Sequence, residues 1–165
     1  MLTAEFSGGI AGRVLLAAVS AAGLSYACNR LSRSRAGGGA VVFVAPGLEE
    51  SFKTGAALLV GAPVLLTHVV FGGLEALYDL GLGAGRAQPH APTAATGAGP
   101  GPTGRHAGAA VAGLVGHALF GALTVAVAAA WGWWPLGVGV AYLAHVAWNA
   151  LVMGRASRRV GSDGP

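Results

Sequence analysis

Residues 107–130 read AGAAVAGLVGHALFGALTVAVAAA. The stretch holds no Asp, Glu, Lys or Arg. A helix rises 1.5 Å per residue, and about 20 apolar residues cross the ~30 Å hydrocarbon core of a bilayer. This run therefore predicts a membrane-spanning helix. His117, the single ionisable side chain in its middle, then needs a reason to be there.

The rest of the chain has the same character. Of 165 residues, 54% are hydrophobic and 10% charged, and the mean hydropathy is +0.63. Soluble domains carry roughly 25% charged residues, so a soluble globular enzyme is excluded. Disorder is excluded by the apolar content. The one cysteine, Cys28, excludes a disulfide framework and a multi-cysteine zinc site. The expected fold is all-α: a polytopic transmembrane bundle, residues 1–165 forming one membrane module.

Five spans are predicted, at about residues 9–28, 37–60, 64–82, 107–130 and 136–154. Gly61 and Pro63 divide an apolar stretch too long for one helix. Residues 83–106, rich in Gly, Pro, Ala and Thr, predict a flexible loop. Trp131, Trp133, Trp134 and Pro135 predict a short interfacial turn. A tail is expected from Arg155.

Charge placement orients the bundle. Arg30, Arg33 and Arg35 follow the first apolar run, which argues against a cleavable signal peptide. With the N-terminus outside and the C-terminus inside, every Arg except Arg13 lies inside. The net charge of +4 has no basic stripe interleaved with aromatics, so no nucleic-acid partner is expected. The partners expected are the lipid bilayer and a membrane protein. Nine Arg against one Lys, with abundant Ala and Gly, suit a GC-rich prokaryotic genome and a cell-membrane location.

Polar residues interrupt these spans: Glu49, Glu50, Lys53, His68, Glu75, Asp79, His117, His145 and Asn149. A central charge opposes insertion by about 2.5–3.5 kcal/mol. Counted from the presumed inner edges, Glu49 lies roughly 18 Å deep, Glu75 roughly 11 Å, His117 roughly 15 Å and His145 roughly 14 Å. Four helices thus bring acids or imidazoles to a common level, where one polar site can collect them. Glu49 and Lys53 are four residues apart, as are Phe71 and Glu75, and His145 and Asn149, so each pair shares a helix face. Glu50 points about 100° away from Glu49.

Each residue alone has a plainer reading. Glu49 and Lys53 make a structural ion pair, and a single His or Asn makes an interhelical hydrogen bond. Tyr78 and Asp79 sit near the inner edge, and His68 in the outer half of its helix. Gly72, Gly73, Gly116 and Gly121 read as close helix contacts. The conjunction of two Glu sites with two His sites outweighs these readings.

In chain order, Ala45-Pro46-Gly47-Leu48-Glu49-Glu50-Ser51-Phe52-Lys53 is similar to an EExxK motif with its preceding proline. Phe71-Gly72-Gly73-Leu74-Glu75 is similar to FxxxE, His117 to the histidine of a third motif, and His145-Val146-Ala147-Trp148-Asn149 to HxxxN. Together they resemble the PrsW family of intramembrane proteases, in the CAAX-protease and bacteriocin-immunity superfamily. Lys53 and Glu75 favour PrsW over the CAAX enzymes; the YhfC-type branch is a close second. The resemblance covers about residues 40–154, with only one helix before EExxK.

The resemblance implies hydrolysis of a peptide bond in a membrane protein, which in PrsW relatives can be an anti-sigma factor. Glu49 or Glu50 would activate a water, Glu75 would orient it, and His145 with Asn149 would stabilise the oxyanion. His117 would hold the water or the carbonyl, Lys53 would keep the first glutamate ionised, and Phe71 would support the site. A glutamic mechanism without cofactor is favoured. The metal alternative draws zinc ligands from Glu49, Glu75, His117 and His145. Two other classes use the same residues: a proton-coupled transporter and a non-catalytic scaffold or immunity protein.

Overall fold

A computed structural model of the chain describes residues 9–36, 40–81 and 102–162. Among the described residues every regular element is helical. The elements are α1 (Ile10–Ala36), a π-helical turn (Ala40–Val44), α2 (Ala45–Val60), α3 (Val64–Gly81), α4 (Pro102–Trp131) and α5 (Trp134–Ser162). The all-α expectation with five helices holds.

Several boundaries move. α1 continues through Arg30 to Ala36, because Arg, Leu and Ala sustain a helix whether or not they are apolar. Residues 37–39, where the second span is expected to begin, lie outside the described residues. α2 opens at Ala45 after the π-helical turn, with Pro46 in its first turn, where the missing N–H is tolerated. The tail expected from Arg155 is helical and continues α5, which runs to Ser162. α4 starts at Pro102, inside the expected loop; residues 82–101 of that loop lie outside the described residues, as does the Asp79 side chain.

The predicted breaks are found. Gly61 ends α2 in the left-handed conformation, φ 65°, and its N–H reaches back to the carbonyl of Leu58. A side chain at that φ would be strained, which is why glycine stands there. The Ala62 N–H donates to the Ala57 carbonyl at 2.8 Å, and α3 begins at once. Between α4 and α5, Gly132 has φ 67°. Pro135 lies in the first turn of α5 rather than in the connection.

α4 packs between α3 and α5, while α1 lies across α2 and α3. Small residues let these helices approach. A Cβ on Gly121 would sit 2.6 Å from the Cβ of His68 on α3. A Cβ on Gly72 would sit 3.0 Å from that of His117 on α4. A Cβ on Gly73, by contrast, would meet nothing within 4 Å, so that glycine is not a close contact. α1 presents Val14, Ala17, Ala18, Ala21 and Ser25, a buried stripe at helical spacing.

The polarity of the molecule is inverted. Lys53, Glu50, His68, Thr67 and Thr124 are fully buried. Leu59 is 88% exposed, and Leu77, Leu143, Val111 and Leu15 are exposed as well. Ile10–Ser32 and Ala107–Trp131 are long and apolar enough to cross a membrane, and most of each faces outward. Val64–Tyr78 is apolar but shorter.

The close approaches predict an asymmetry. Gly121→Ala should destabilise the chain by about 1–3 kcal/mol, the range for overpacking, because it collides with His68. Gly73→Ala should be neutral or slightly stabilising. Thermal unfolding of the two variants in the same lipid or detergent checks the pair.

Candidate functional site

Adjacent residues on a helix point about 100° apart, so Glu49 and Glu50 face different neighbours. Glu50 faces the interior and makes most of the contacts. Its Oε1 accepts a hydrogen bond from Lys53 Nζ at 2.6 Å, with both side chains fully buried. The same oxygen lies 3.0 Å from His145 Nδ1 on α5. Its Oε2 lies 3.6 Å from His68 Nδ1 on α3. His68 Nε2 is 3.3 Å from Thr54 Oγ1, which returns the contact to α2.

Lys53 therefore pairs with Glu50, three residues away, rather than with Glu49, four away. Both spacings place side chains together on a helix. What decides between them is that Glu49 is drawn toward another helix. Asn29 Nδ2 on α1 donates to Glu49 Oε1 at 3.1 Å. The other oxygen of Glu49, Oε2, faces His145 Nε2 at 3.9 Å.

Lys53 also reaches α4. Its Nζ lies 2.9 Å from His117 Nδ1 and 4.8 Å from the centre of the Phe71 ring. His117 Nε2 lies 2.5 Å from Glu75 Oε2 on α3. An ammonium has only protons to give, so His117 Nδ1 accepts from it. His117 then carries its own proton on Nε2 and donates it to Glu75. On His145, Nδ1–H donates to the Glu50 carboxylate, and Nε2 is directed toward Glu49.

Aromatic rings fill the remaining space. Phe120 stacks on His145 at 4.5 Å, and Phe71 meets His117 edge-on at 5.2 Å. The connected set runs Asn29, Glu49, His145, Glu50, Lys53, His117, Glu75, with His68 on Glu50. It draws on all five helices. The Glu75 side chain, 43% exposed, opens outward.

Of the residues expected in a site, Glu49, Glu50, Lys53, Phe71, Glu75, His117 and His145 come together. Glu75 contacts His117, and both nitrogens of His117 are engaged by protein groups. Asn149 lies half-buried on α5, one turn beyond His145. Three contributors were not expected. His68 was placed apart but is at the centre of the bundle. Phe120 has only its spacing, three residues after His117, to mark it. Asn29 carries a weak sign, one turn beyond Ser25 on the small-residue face of α1.

Comparisons of the chain with protein-family models, curated proteins and solved structures found no match. Function has to be read from the site itself. Glu49, His117 and His145 each offer a ligand atom, all within 4.8 Å of one another. Zinc with bonds of about 2.0–2.2 Å would draw tetrahedral ligand atoms to roughly 3.4 Å apart. The Glu49–His145 pair is wider than that, and His117 would first have to release Lys53 or Glu75. An ammonium 2.9 Å from a ring nitrogen also opposes a dication. These three groups could gather round a metal only if His117 gave up one of its protein contacts.

The Glu50–Lys53 pair predicts a stability signature. Lys53→Met leaves the Glu50 carboxylate buried without its cation and should destabilise by about 3–5 kcal/mol. Lys53→Met combined with Glu50→Gln should recover most of that loss. Unfolding of the single and double variants in one detergent measures the difference.

Proposed function

We propose that the chain is a multi-pass membrane protein and that its polar centre is the active site of an intramembrane endopeptidase. The inverted polarity supports the membrane placement: long apolar faces outside, ionisable groups within. All five helices then span, N-terminus outside and C-terminus inside, with Arg30 and Arg33 on the inner side. The resemblance to the PrsW family supports the reaction class, and a prokaryotic cell membrane is the proposed location.

One observation carries the chemistry. Glu49 Oε2 and His145 Nε2 face each other across 3.9 Å, and with Nε2 unprotonated both would be acceptors. A water at ordinary hydrogen-bond distance from each, about 2.8 Å, would donate one proton to each at an angle of about 90°. Its lone pairs would then point away from both groups, toward a substrate carbonyl. A carboxylate sheltered from bulk water is a better base than one at a surface.

Glu49 is the proposed base because Glu50 is committed elsewhere, to Lys53, His145 and His68. Glu50 holds His145 in its Nδ1–H tautomer, as a buried carboxylate holds the histidine of a catalytic triad. Water oxygen attacks the carbonyl carbon, and its proton passes to Glu49. Asn149, one turn from His145, is the proposed donor to the oxyanion. Collapse breaks the C–N bond, and the leaving nitrogen takes up the proton that Glu49 received. The substrate is a membrane polypeptide such as a single-span protein; an anti-sigma factor is a candidate by resemblance.

A second reading has its own observation. The contacts from half-exposed Glu75 through His117, Lys53, Glu50 and His145 form a continuous polar chain, as a proton relay requires. Proton flux through proteoliposomes, lost in Glu50→Gln, would favour a proton-coupled transporter.

The deciding experiment is cleavage of a panel of tagged single-span proteins by the chain in lipid. Glu49→Gln and His145→Ala should each lower turnover by about 10²–10⁴-fold, the usual contribution of a general base. Glu75→Gln should lower it less, since Glu75 acts on His117. Cleavage should persist in a chelator. Undiminished cleavage in Glu49→Gln would falsify the assignment.

A further inference from the structure

Glu49 must present one oxygen to His145, yet nothing on its own helix holds it there. Lys53, one turn away, is bonded to Glu50 and His117 instead. The hydrogen bond that Glu49 does receive comes from α1, where Asn29 Nδ2 lies 3.1 Å from Oε1. Asn29 is half-buried and stands twenty residues earlier in the chain. Its Oδ1 is buried and has no hydrogen-bond partner among the described residues. The amide is therefore oriented by the bond to Glu49 and by no competing bond of its own.

The packing of α1 does not need that bond. Its apolar contacts lie nearer its start: Val14 and Ala17 against Ala57 and Ala62, and Ala18 and Ala21 against Phe71. Asn29 stands beyond them, where the buried face of α1 turns from Ala to Ser25 and then to the amide. A bond from a neutral amide also suits a base. It fixes the carboxylate without supplying a cation that would hold its charge, as Lys53 does for Glu50.

We propose that Asn29 is a positioning residue: it pins Glu49 Oε1 so that Oε2 faces His145, making α1 part of the catalytic machinery. The proposal rests on the endopeptidase reading for its effect on turnover and on geometry alone for the contact. It assigns a function to a helix that lies before every motif of the family resemblance.

The test uses the full chain in lipid with the same panel of tagged single-span proteins. Asn29→Ala should lower kcat roughly 10- to 100-fold, as displacement of a catalytic group does, with KM within about twofold. Asn29→Gln, which keeps the donor, should recover part of the loss. Wild-type turnover in Asn29→Ala, or a loss that follows only the folded fraction, would overturn the proposal. Thermal unfolding supplies a readout independent of cleavage. Asn29→Asp sets two carboxylates face to face and should lower the melting temperature. Adding Glu49→Gln restores a donor and an acceptor in exchanged places, so the melting temperature should return while cleavage does not. If wild type cleaves nothing but that restoration occurs, the hold on Glu49 stands and the endopeptidase reading alone falls. If the melting temperature is not restored, the proposed contact is wrong.

Discussion

The Glu50 carboxylate is the constraint on which the bundle depends. It has no accessible surface, and an unpaired charge in such a place is strongly unfavourable. It is tolerated because Lys53 on α2 and His145 on α5 bond to it, while His68 on α3 lies 3.6 Å from its other oxygen. Lys53 in turn requires a second acceptor and finds His117 on α4. Satisfying one carboxylate thus sets the positions of α2, α3, α4 and α5. Hydrophobic contact alone would not specify this arrangement, since apolar helix faces can slide against one another. A buried polar network permits far fewer alternatives.

Small residues make the convergence possible. His68 can reach Glu50 because Gly121 on α4 leaves room behind it, and His117 can lie against α3 because Gly72 does the same there. The apolar sequence surrounding the centre is therefore not uniform filler. Its glycines mark where imidazoles must pass between backbones. Gly73, next to one of them, has open space instead, so the composition of a segment says less than the position of each glycine within it.

Much of this was legible in the sequence. The number of helices followed from apolar run lengths, and the break at Gly61 and Pro63 followed from turn chemistry. The meeting of Glu49, Glu75, His117 and His145 followed from their similar depths on separate helices. Helix ends were less legible, because hydrophobicity marks a membrane boundary while helix propensity marks a backbone boundary. Arg30 to Ala36 satisfy the second and not the first. Pairing was the least legible. Spacing alone allowed Lys53 to meet either glutamate. In the folded chain it meets Glu50, while Glu49 takes its hydrogen bond from Asn29 on α1. His68 escaped for the same reason: its depth along α3 is readable, but the helix it faces is not.

Two glutamates side by side then have a physical rationale. Adjacent positions on one rigid helix diverge by about 100°, so the two carboxylates have almost fixed relative positions but different surroundings. One is bonded by Lys53 and His145, with His68 near its other oxygen, and acts as an anchor. The other has a single neutral donor and keeps an oxygen turned toward His145. In the proposed reaction the anchor also sets the tautomer of that same histidine, so Glu50 determines what Glu49 faces. A lone glutamate would have to be both tightly held and reactive, and the interactions that achieve the first oppose the second. Dividing the tasks between neighbours removes the conflict, and the low polarity of the surrounding helices strengthens both halves of the arrangement.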